Sequence, residues 1–266
     1  EIASCLVGSE MCIRDRKMRN GLTVPGQGGS TIPVSFNSEV DADSFAWGFN
    51  VGMMWSPLEI LRFGLSYRSR INHNADGDLE LSDFEPALAA GMVPNTMSAS
   101  ATISTPAWLM ATAAWDVNDL LSLYATFRWT DWSSFKELEI KNDLKPSVVH
   151  NNWQDTYLVS VGADLRFTNW WTFRAGIGYE TSAVDDPKYR TAIIPDADRL
   201  WLALGSSFKA TENMQIDVSA AWLHGIGERN LWSSDGSNPA EGTPEKVGKF
   251  EDLDAYLFGV QLVYKF

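Results

Sequence analysis

The sequence predicts an all-β fold, an antiparallel transmembrane β-barrel, and three observations predict it. Polar and apolar residues alternate at period two over most of the chain. The connections between the alternating segments are short and long in turn. Aromatic residues gather toward the ends of one strand face while arginines share the other. The 266 residues are 45% hydrophobic, yet mean hydropathy is only −0.16. No apolar run approaches the ~20 residues that a membrane helix needs.

The strands follow in order. Alternation predicts them at Phe45–Trp55, Leu61–Leu81, Ser98–Trp115, Leu121–Ile140, Trp153–Phe167, Trp171–Glu180, Arg199–Lys209, Met214–Trp232 and Phe250–Phe266. Four connections are tight turns rich in Asn, Asp and Pro: Ser56-Pro57-Leu58-Glu59, Asp116-Val117-Asn118-Asp119, Thr168-Asn169-Trp170 and Ala210-Thr211-Glu212-Asn213. The others are long: Asp83–Thr96, Lys141–Asn152, Thr181–Asp198 and Ser233–Lys249. Soluble sandwiches mix loop lengths at both ends, whereas membrane barrels put short turns on one side and long loops on the other.

The faces separate cleanly. Leu61, Phe63, Leu65, Tyr67 and Ile71 share one face, and Arg62, Gly64, Ser66, Arg68 and Arg70 the other. Trp171, Phe173, Ala175, Ile177 and Tyr179 oppose Thr172, Arg174, Gly176, Gly178 and Glu180. Ile216, Val218, Ala220 and Trp222 oppose Gln215, Asp217, Ser219 and Ala221. A small soluble barrel turns its apolar face inward. Here the charged face is either solvent or a wet lumen, and the aromatic ends favour the lumen.

In the last nine residues Phe258, Val260, Leu262, Tyr264 and Phe266 form one apolar face opposite Gly259, Gln261, Val263 and Lys265. A soluble edge strand ending this way frays, but a barrel needs a closing strand with one side against lipid. A soluble β-protein stays open as the alternative on this stretch alone. The ending also resembles the assembly signal of bacterial outer-membrane barrels, which makes Phe266 the expected contact with the barrel-assembly machinery.

Residues 1–16 show neither strand alternation nor a signal peptide. They resemble a translated sequencing adaptor and are expected to stand outside the fold as a non-native segment. Both cysteines, Cys5 and Cys12, lie within them, so thiol, disulfide or zinc chemistry is not expected elsewhere. Residues 17–44 are expected as the remnant of an extracellular loop and 45–266 as a partial barrel. The net charge of −13 excludes nucleic acid as a partner and suits acidic surface loops or a plain solubilising surface.

Six segments carry a family resemblance. They are Trp47-Gly48-Phe49-Asn50-Val51-Gly52, Gly64-Leu65-Ser66-Tyr67-Arg68-Ser69, Thr130-Asp131-Trp132-Ser133-Ser134-Phe135, Asn152-Trp153-Gln154-Asp155-Thr156-Tyr157, Trp171-Thr172-Phe173-Arg174-Ala175-Gly176 and Ile194-Pro195-Asp196-Ala197-Asp198-Arg199-Leu200-Trp201. In this order the chain resembles the FadL family of outer-membrane transporters of long-chain fatty acids and other hydrophobic compounds. The resemblance implies a fourteen-stranded barrel closed by an N-terminal hatch, of which the about nine C-terminal strands are present here. It further implies passive, ligand-gated uptake in a Gram-negative outer membrane, with membrane lipid and lipopolysaccharide as surroundings and without cofactor or metal. An aromatic-hydrocarbon importer of the same fold and a structural or adhesive barrel are the alternatives.

No catalytic constellation stands out, and the chain is not expected to be an enzyme. His73, His150 and His224 share no partner at triad or ligand spacing and read as exposed loop residues. Asp185-Asp186 and Asp196/Asp198 fit either an extracellular divalent cation or solvated loop acids. The inward arginines carry the remaining chemistry: Arg62, Arg68, Arg70, Arg128, Arg166, Arg174 and Arg199. A carboxylate in a desolvated pocket requires a fixed cation, and guanidinium offers a bidentate fork. Arg68, Arg128 and Arg199 are the candidate head-group ligands, with Trp132, Leu158, Trp201 and Leu223 for an apolar tail. The competing reading pairs these arginines with Asp164, Asp217 and Glu180 in an internal polar lattice.

Overall fold

The computed structural model describes residues 2–14, 18–25, 31–85, 95–142, 147–190, 195–232 and 246–265. Its strands are β1 (Ile2–Arg14), β2 (Met18–Pro25), β3 (Thr31–Leu58), β4 (Leu61–Arg68), β5 (Ile71–Glu85), β6 (Thr96–Thr105), β7 (Trp108–Asp116), β8 (Leu121–Thr130) and β9 (Glu137–Asn142). They continue with β10 (Ser147–His150), β11 (Thr156–Arg166), β12 (Trp171–Glu180), β13 (Asp198–Lys209), β14 (Met214–Ile226), β15 (Asn230–Trp232), β16 (Lys246–Lys249) and β17 (Asp254–Tyr264). One antiparallel meander runs β3, β4 with β5, β7 with β6, β8 with β9, β11 with β10, then β12, β13, β14 and β17. The sheet is not closed: among the described residues β17 pairs only with β14.

Four strands expected as continuous are interrupted. Met214–Trp232 breaks after Ile226, where Gly227 takes a φ of 81°, and its end joins a separate two-stranded sheet. Leu61–Leu81 breaks after Arg68, where Ser69 turns to bond Phe49, donating its N–H to the Phe49 carbonyl at 2.9 Å. Ser98–Trp115 breaks at Pro106, which lacks the N–H a ladder needs. Leu121–Ile140 is interrupted by a turn of 3-10 helix at Trp132–Ser134. There Ser134 Oγ donates to the Asp131 carbonyl at 2.7 Å. The short turns form as expected. Asn118 Oδ1 accepts from the N–H groups of Leu120 and Leu121, both at 2.9 Å, closing the β7–β8 hairpin with an Asx turn.

Two segments differ from the sequence reading. The backbone of residues 2–14 pairs with β3 from Ile2 opposite Met53 to Arg14 opposite Asp41, where no packing was expected. Residues 17–44, expected as loop, contain β2 and the start of β3, which pair with each other. Gly- and Pro-rich composition marked a loop there, but main-chain pairing along a strand edge needs few apolar side chains.

The outward face carries the aromatics. Trp55 stacks on Phe63 with ring centroids 5.7 Å apart, and Trp171 stacks on Phe208 at 6.5 Å, both near the short turns. Toward the other end, Phe49 meets Tyr67 at 5.9 Å and Phe127 meets Tyr157 at 6.2 Å. These form two girdles with an aliphatic band between them, as a barrel in a bilayer requires. Val161, Ile177, Leu202 and Phe258 stand exposed in that band.

Beyond the second girdle, β3 and β5 oppose acid to acid on their exposed face: Glu39 with Glu80, Asp41 with Asp78, and Asp43 with Asp76. Like charges directly opposite destabilise a sheet by roughly 0.2–1 kcal/mol per pair. Asp78→Asn is therefore expected to slow amide hydrogen exchange in this part of β3 and β5. Faster exchange in the variant at the same pH would contradict the ladder.

Candidate functional site

In-register pairing places Ser66, Met110, Arg128, Leu158, Glu180, Arg199 and Gly225 in one row across the inward face. Glu180 is its centre and is only 7% exposed. Arg128 Nη2 lies 2.8 Å from Glu180 Oε1, Arg199 Nη1 lies 3.5 Å from Oε2, and Trp201 Nε1 donates to Oε2 at 3.3 Å. Arg199 Nη2 also pairs with Asp196 Oδ1. A carboxylate so desolvated is held only with cations and donors on both oxygens.

Beside this group β11 and β12 carry almost no side chains in the next two rows. Gly162 faces Gly176, Ser160 faces Gly178, and Ala203 follows Gly176. The space left is a cavity of about 390 Å³ walled by Arg128, Leu158, Trp201, Tyr124, Thr126 and these small residues. Toward the short turns the face becomes a polar lattice. Arg174 pairs with Asp164 at 3.3 Å and with Asp217 at 3.5 Å, Arg62 pairs with Asp116 at 2.8 Å, and Arg166 lies 3.6 Å from Asp116.

At the other end, long connections fold over the row. Trp153 packs against Ala183 and Val184, with Trp132 and Phe135 beside it at ring-centroid distances of 5.2 and 5.1 Å. Asp196, nearly buried, accepts from Ser182 Oγ and the Ala183 N–H, each at 2.7 Å. Arg190, also buried, donates through Nε to the Asp196 carbonyl at 2.9 Å. Asp155 anchors the 3-10 turn by accepting from the Ser133 N–H at 3.0 Å and Trp129 Nε1 at 2.8 Å. Burial pushes its carboxyl up, but these bonds outweigh it and hold the group below the ordinary carboxylate range.

Of the seven candidate ligand residues, Arg128, Arg199, Leu158 and Trp201 come together around Glu180. Leu223 lies opposite Trp201 and borders a separate cavity of about 240 Å³ together with Arg199. Trp132 is not on a strand face; it belongs to the aromatic cluster of the folded connections. Arg68 stands on β4 opposite Asn50 and Trp108, away from the Glu180 group, with no side-chain hydrogen bond or ion pair among the described residues. Sequence reasoning missed the glycines that make the cavity and the role of Asp196.

Three expectations about other polar residues change. His73 is not an exposed loop residue but 1% exposed, its Nδ1 3.0 Å from Ser44 Oγ. His224 lies 2.6 Å from Asp254, bridging β14 and β17. Asp196 and Asp198 are taken up by Ser182, Ala183, Tyr179 and Arg199 rather than solvated, and no cluster that could hold a metal occurs among the described residues.

Known proteins fit this geometry. A family described as outer membrane protein transport protein (OMPP1/FadL/TodX) matches residues 8–266, beginning inside the 1–16 stretch. The long-chain fatty acid transport protein of Escherichia coli O6:H1 is 30% identical over 249 residues, covering 90% of this chain and 54% of that protein. The 47 kDa outer membrane protein of Pasteurella multocida is 27% identical over 240 residues, covering 86% of this chain and 52% of that protein. The chain thus spans about half the length of these relatives. Among solved structures, a Pseudomonas aeruginosa FadL homologue superposes with a TM-score of 0.72 at 23% identity, over 99% of this chain and 62% of that one. The Ralstonia pickettii toluene transporter TbuX gives 0.53 at 18% identity, over 85% of this chain and 57% of that one. The lumen-facing polar lattice, the lipid-facing girdles and this coverage agree: the chain belongs to the OMPP1/FadL/TodX family of outer-membrane transport proteins.

Proposed function

We propose that this chain forms part of a passage by which long-chain fatty acids or similar hydrophobic molecules enter through the outer membrane by passive, ligand-gated diffusion, without catalysis. The observation that carries the reading is the inward cavity, where apolar Leu158 and Trp201 stand on an otherwise polar face beside Arg128. Arg68, Arg128 and Arg199 would serve the head group, and Trp132, Leu158, Trp201 and Leu223 the tail. A second reading, an importer of aromatic hydrocarbons, is favoured by one observation: Arg128 and Arg199 are already paired with acids.

The test is uptake of labelled oleate and of toluene by cells that carry the restored full-length gene and lack their own importers. Uptake of either above the empty-vector rate supports the passage, and the preferred ligand separates the two readings. Uptake of neither would overturn both.

The outward face suits hydrocarbon. An apolar groove of about 860 Å³ runs over Ala113, Ala125, Ala163 and Ala175, between Trp115, Ile177 and Leu204. Membrane lipid, with lipopolysaccharide beyond the upper girdle, is the proposed occupant of this surface. We read residues 1–16 as non-native, 17–44 as part of an extracellular connection and 45–266 as the barrel portion. The lack of alternation in the first stretch and the outward girdles of the last support this division.

Phe266 lies outside the described residues. Its proposed contact with the barrel-assembly machinery rests on the alternating aromatic face that it ends. Phe266→Ser is expected to lower the amount of heat-modifiable barrel in the outer membrane, since the strand loses the terminal aromatic that ties it down. Full-level assembly of the variant would contradict that role.

A further inference from the structure

We propose that Glu180 sets the charge specificity of the lumenal site, favouring uncharged hydrophobic ligands over anionic ones. The inference rests on the reading of the 390 Å³ cavity as a ligand site. Arg128 is the charged residue in the wall of that cavity, and the groups next to it offset its charge. Arg128 and Arg199 share Glu180 at 2.8 and 3.5 Å, Arg199 also pairs with Asp196, and Arg190 bonds the Asp196 carbonyl at 2.9 Å. Asp198 stands behind them, accepting from the Ser182 N–H at 2.7 Å and from Tyr179 Oη. Two guanidinium groups, those of Arg128 and Arg199, thus face two carboxylates, those of Glu180 and Asp196.

An entering anion meets this neutral group, not a free cation. To gain a guanidinium it must displace Glu180 from Arg128 and leave that carboxylate desolvated. A buried carboxylate without its cation is strongly disfavoured. An alcohol, an ester or a hydrocarbon imposes no such exchange and needs only the apolar wall of Leu158, Ala203 and Trp201. Glu180 is the residue whose charge decides the matter, because among the described residues it bonds Arg128, Arg199 and the Trp201 indole together. Its amide isostere keeps the shape and an acceptor oxygen while releasing one guanidinium charge to the cavity.

The test compares hexadecanol with hexadecanesulfonate, whose charge does not titrate, by equilibrium binding to the protein in outer-membrane vesicles. In wild type, hexadecanol is expected to bind more tightly than the sulfonate. Glu180→Gln should tighten sulfonate binding at least about tenfold, as one newly available charge-assisted bond does, and leave hexadecanol within about twofold. Arg128→Gln should act in the opposite direction, weakening the sulfonate further, and it serves if Glu180→Gln does not assemble. An unchanged ratio of the two affinities in an assembled variant would overturn the role of Glu180 while leaving the passage intact. Failure of wild type to bind either probe would instead overturn the ligand site and the inference with it.

Discussion

Replacing Gly176 with phenylalanine is expected to close the lumenal cavity and abolish uptake while leaving the sheet intact. Gly176 faces Gly162 across β11 and β12, and its missing side chain leaves part of the 390 Å³ space. A Cβ placed there would meet the Val161 carbonyl at 3.4 Å and Gly162 Cα at 3.9 Å, contacts a strand tolerates. The benzyl group must then point into the cavity, because alternation fixes its side of the sheet. Binding of both charged and neutral ligands should fall by at least about tenfold. Stability should change by less than about 1 kcal/mol, because the added group enters empty space rather than a packed core. Gly225 is a contrasting control: a Cβ there would lie 2.5 Å from Leu253 Cβ, so Gly225→Ala is expected to disturb the β14–β17 end instead. Normal uptake by an assembled Gly176→Phe protein would remove this cavity from the route.

The second large effect is expected from removing both lumenal arginines. Arg128→Gln with Arg199→Gln leaves Glu180 nearly buried with only the Trp201 indole as donor. Breaking a buried ion pair from one side costs about 3–5 kcal/mol. Arg128 keeps 38% and Arg199 34% of their side-chain surface, so water screens part of this. A loss on the order of 2 kcal/mol is therefore expected in urea unfolding from detergent. Adding Glu180→Gln to the double variant should restore most of that loss, because no orphan charge then remains. The same reasoning limits a simpler experiment. Losing Arg68, Arg128 and Arg199 together weakens fatty-acid binding for two reasons at once, a missing cation and a displaced Glu180. Only the background with Glu180→Gln separates them.

How far the sequence carried depended on what each feature rests on. Period-two alternation and turn residues are local, so the strand lanes, the short hairpins and the inward or outward side of Arg174, Tyr179 and Glu180 were legible. The interruptions were less so. Pro106 is a local signal that the strand reading Ser98–Trp115 passed over, whereas Ser69 and the turn at Trp132 depend on partners, Phe49 and Asp155, that lie far along the chain. Main-chain pairing of residues 2–14 and 18–25 left no alternation to read. The site divides the same way. Arg128, Leu158, Arg199 and Trp201 stood out as misfits or cations on the inward face. Which acid each arginine meets is set by inter-strand register and by how residues 181–190 and 195–198 are placed, and neither is local. Trp132 reads as a strand residue only if the strand continues, and it does not.

The central claim is that hydrophobic molecules travel along the inward face beside Glu180. The most direct measurement is photo-crosslinking of a diazirine-bearing long-chain alcohol to the protein in outer membranes, with the labelled residues located by mass spectrometry. Label competed by unmodified alcohol is expected on the inward residues Leu158, Ser160, Trp201 and Ala203, with uncompeted background on lipid-facing Val159 and Leu202. Competed label confined to Val159, Leu202 and their outward neighbours, with none at Leu158 or Trp201, would contradict the account.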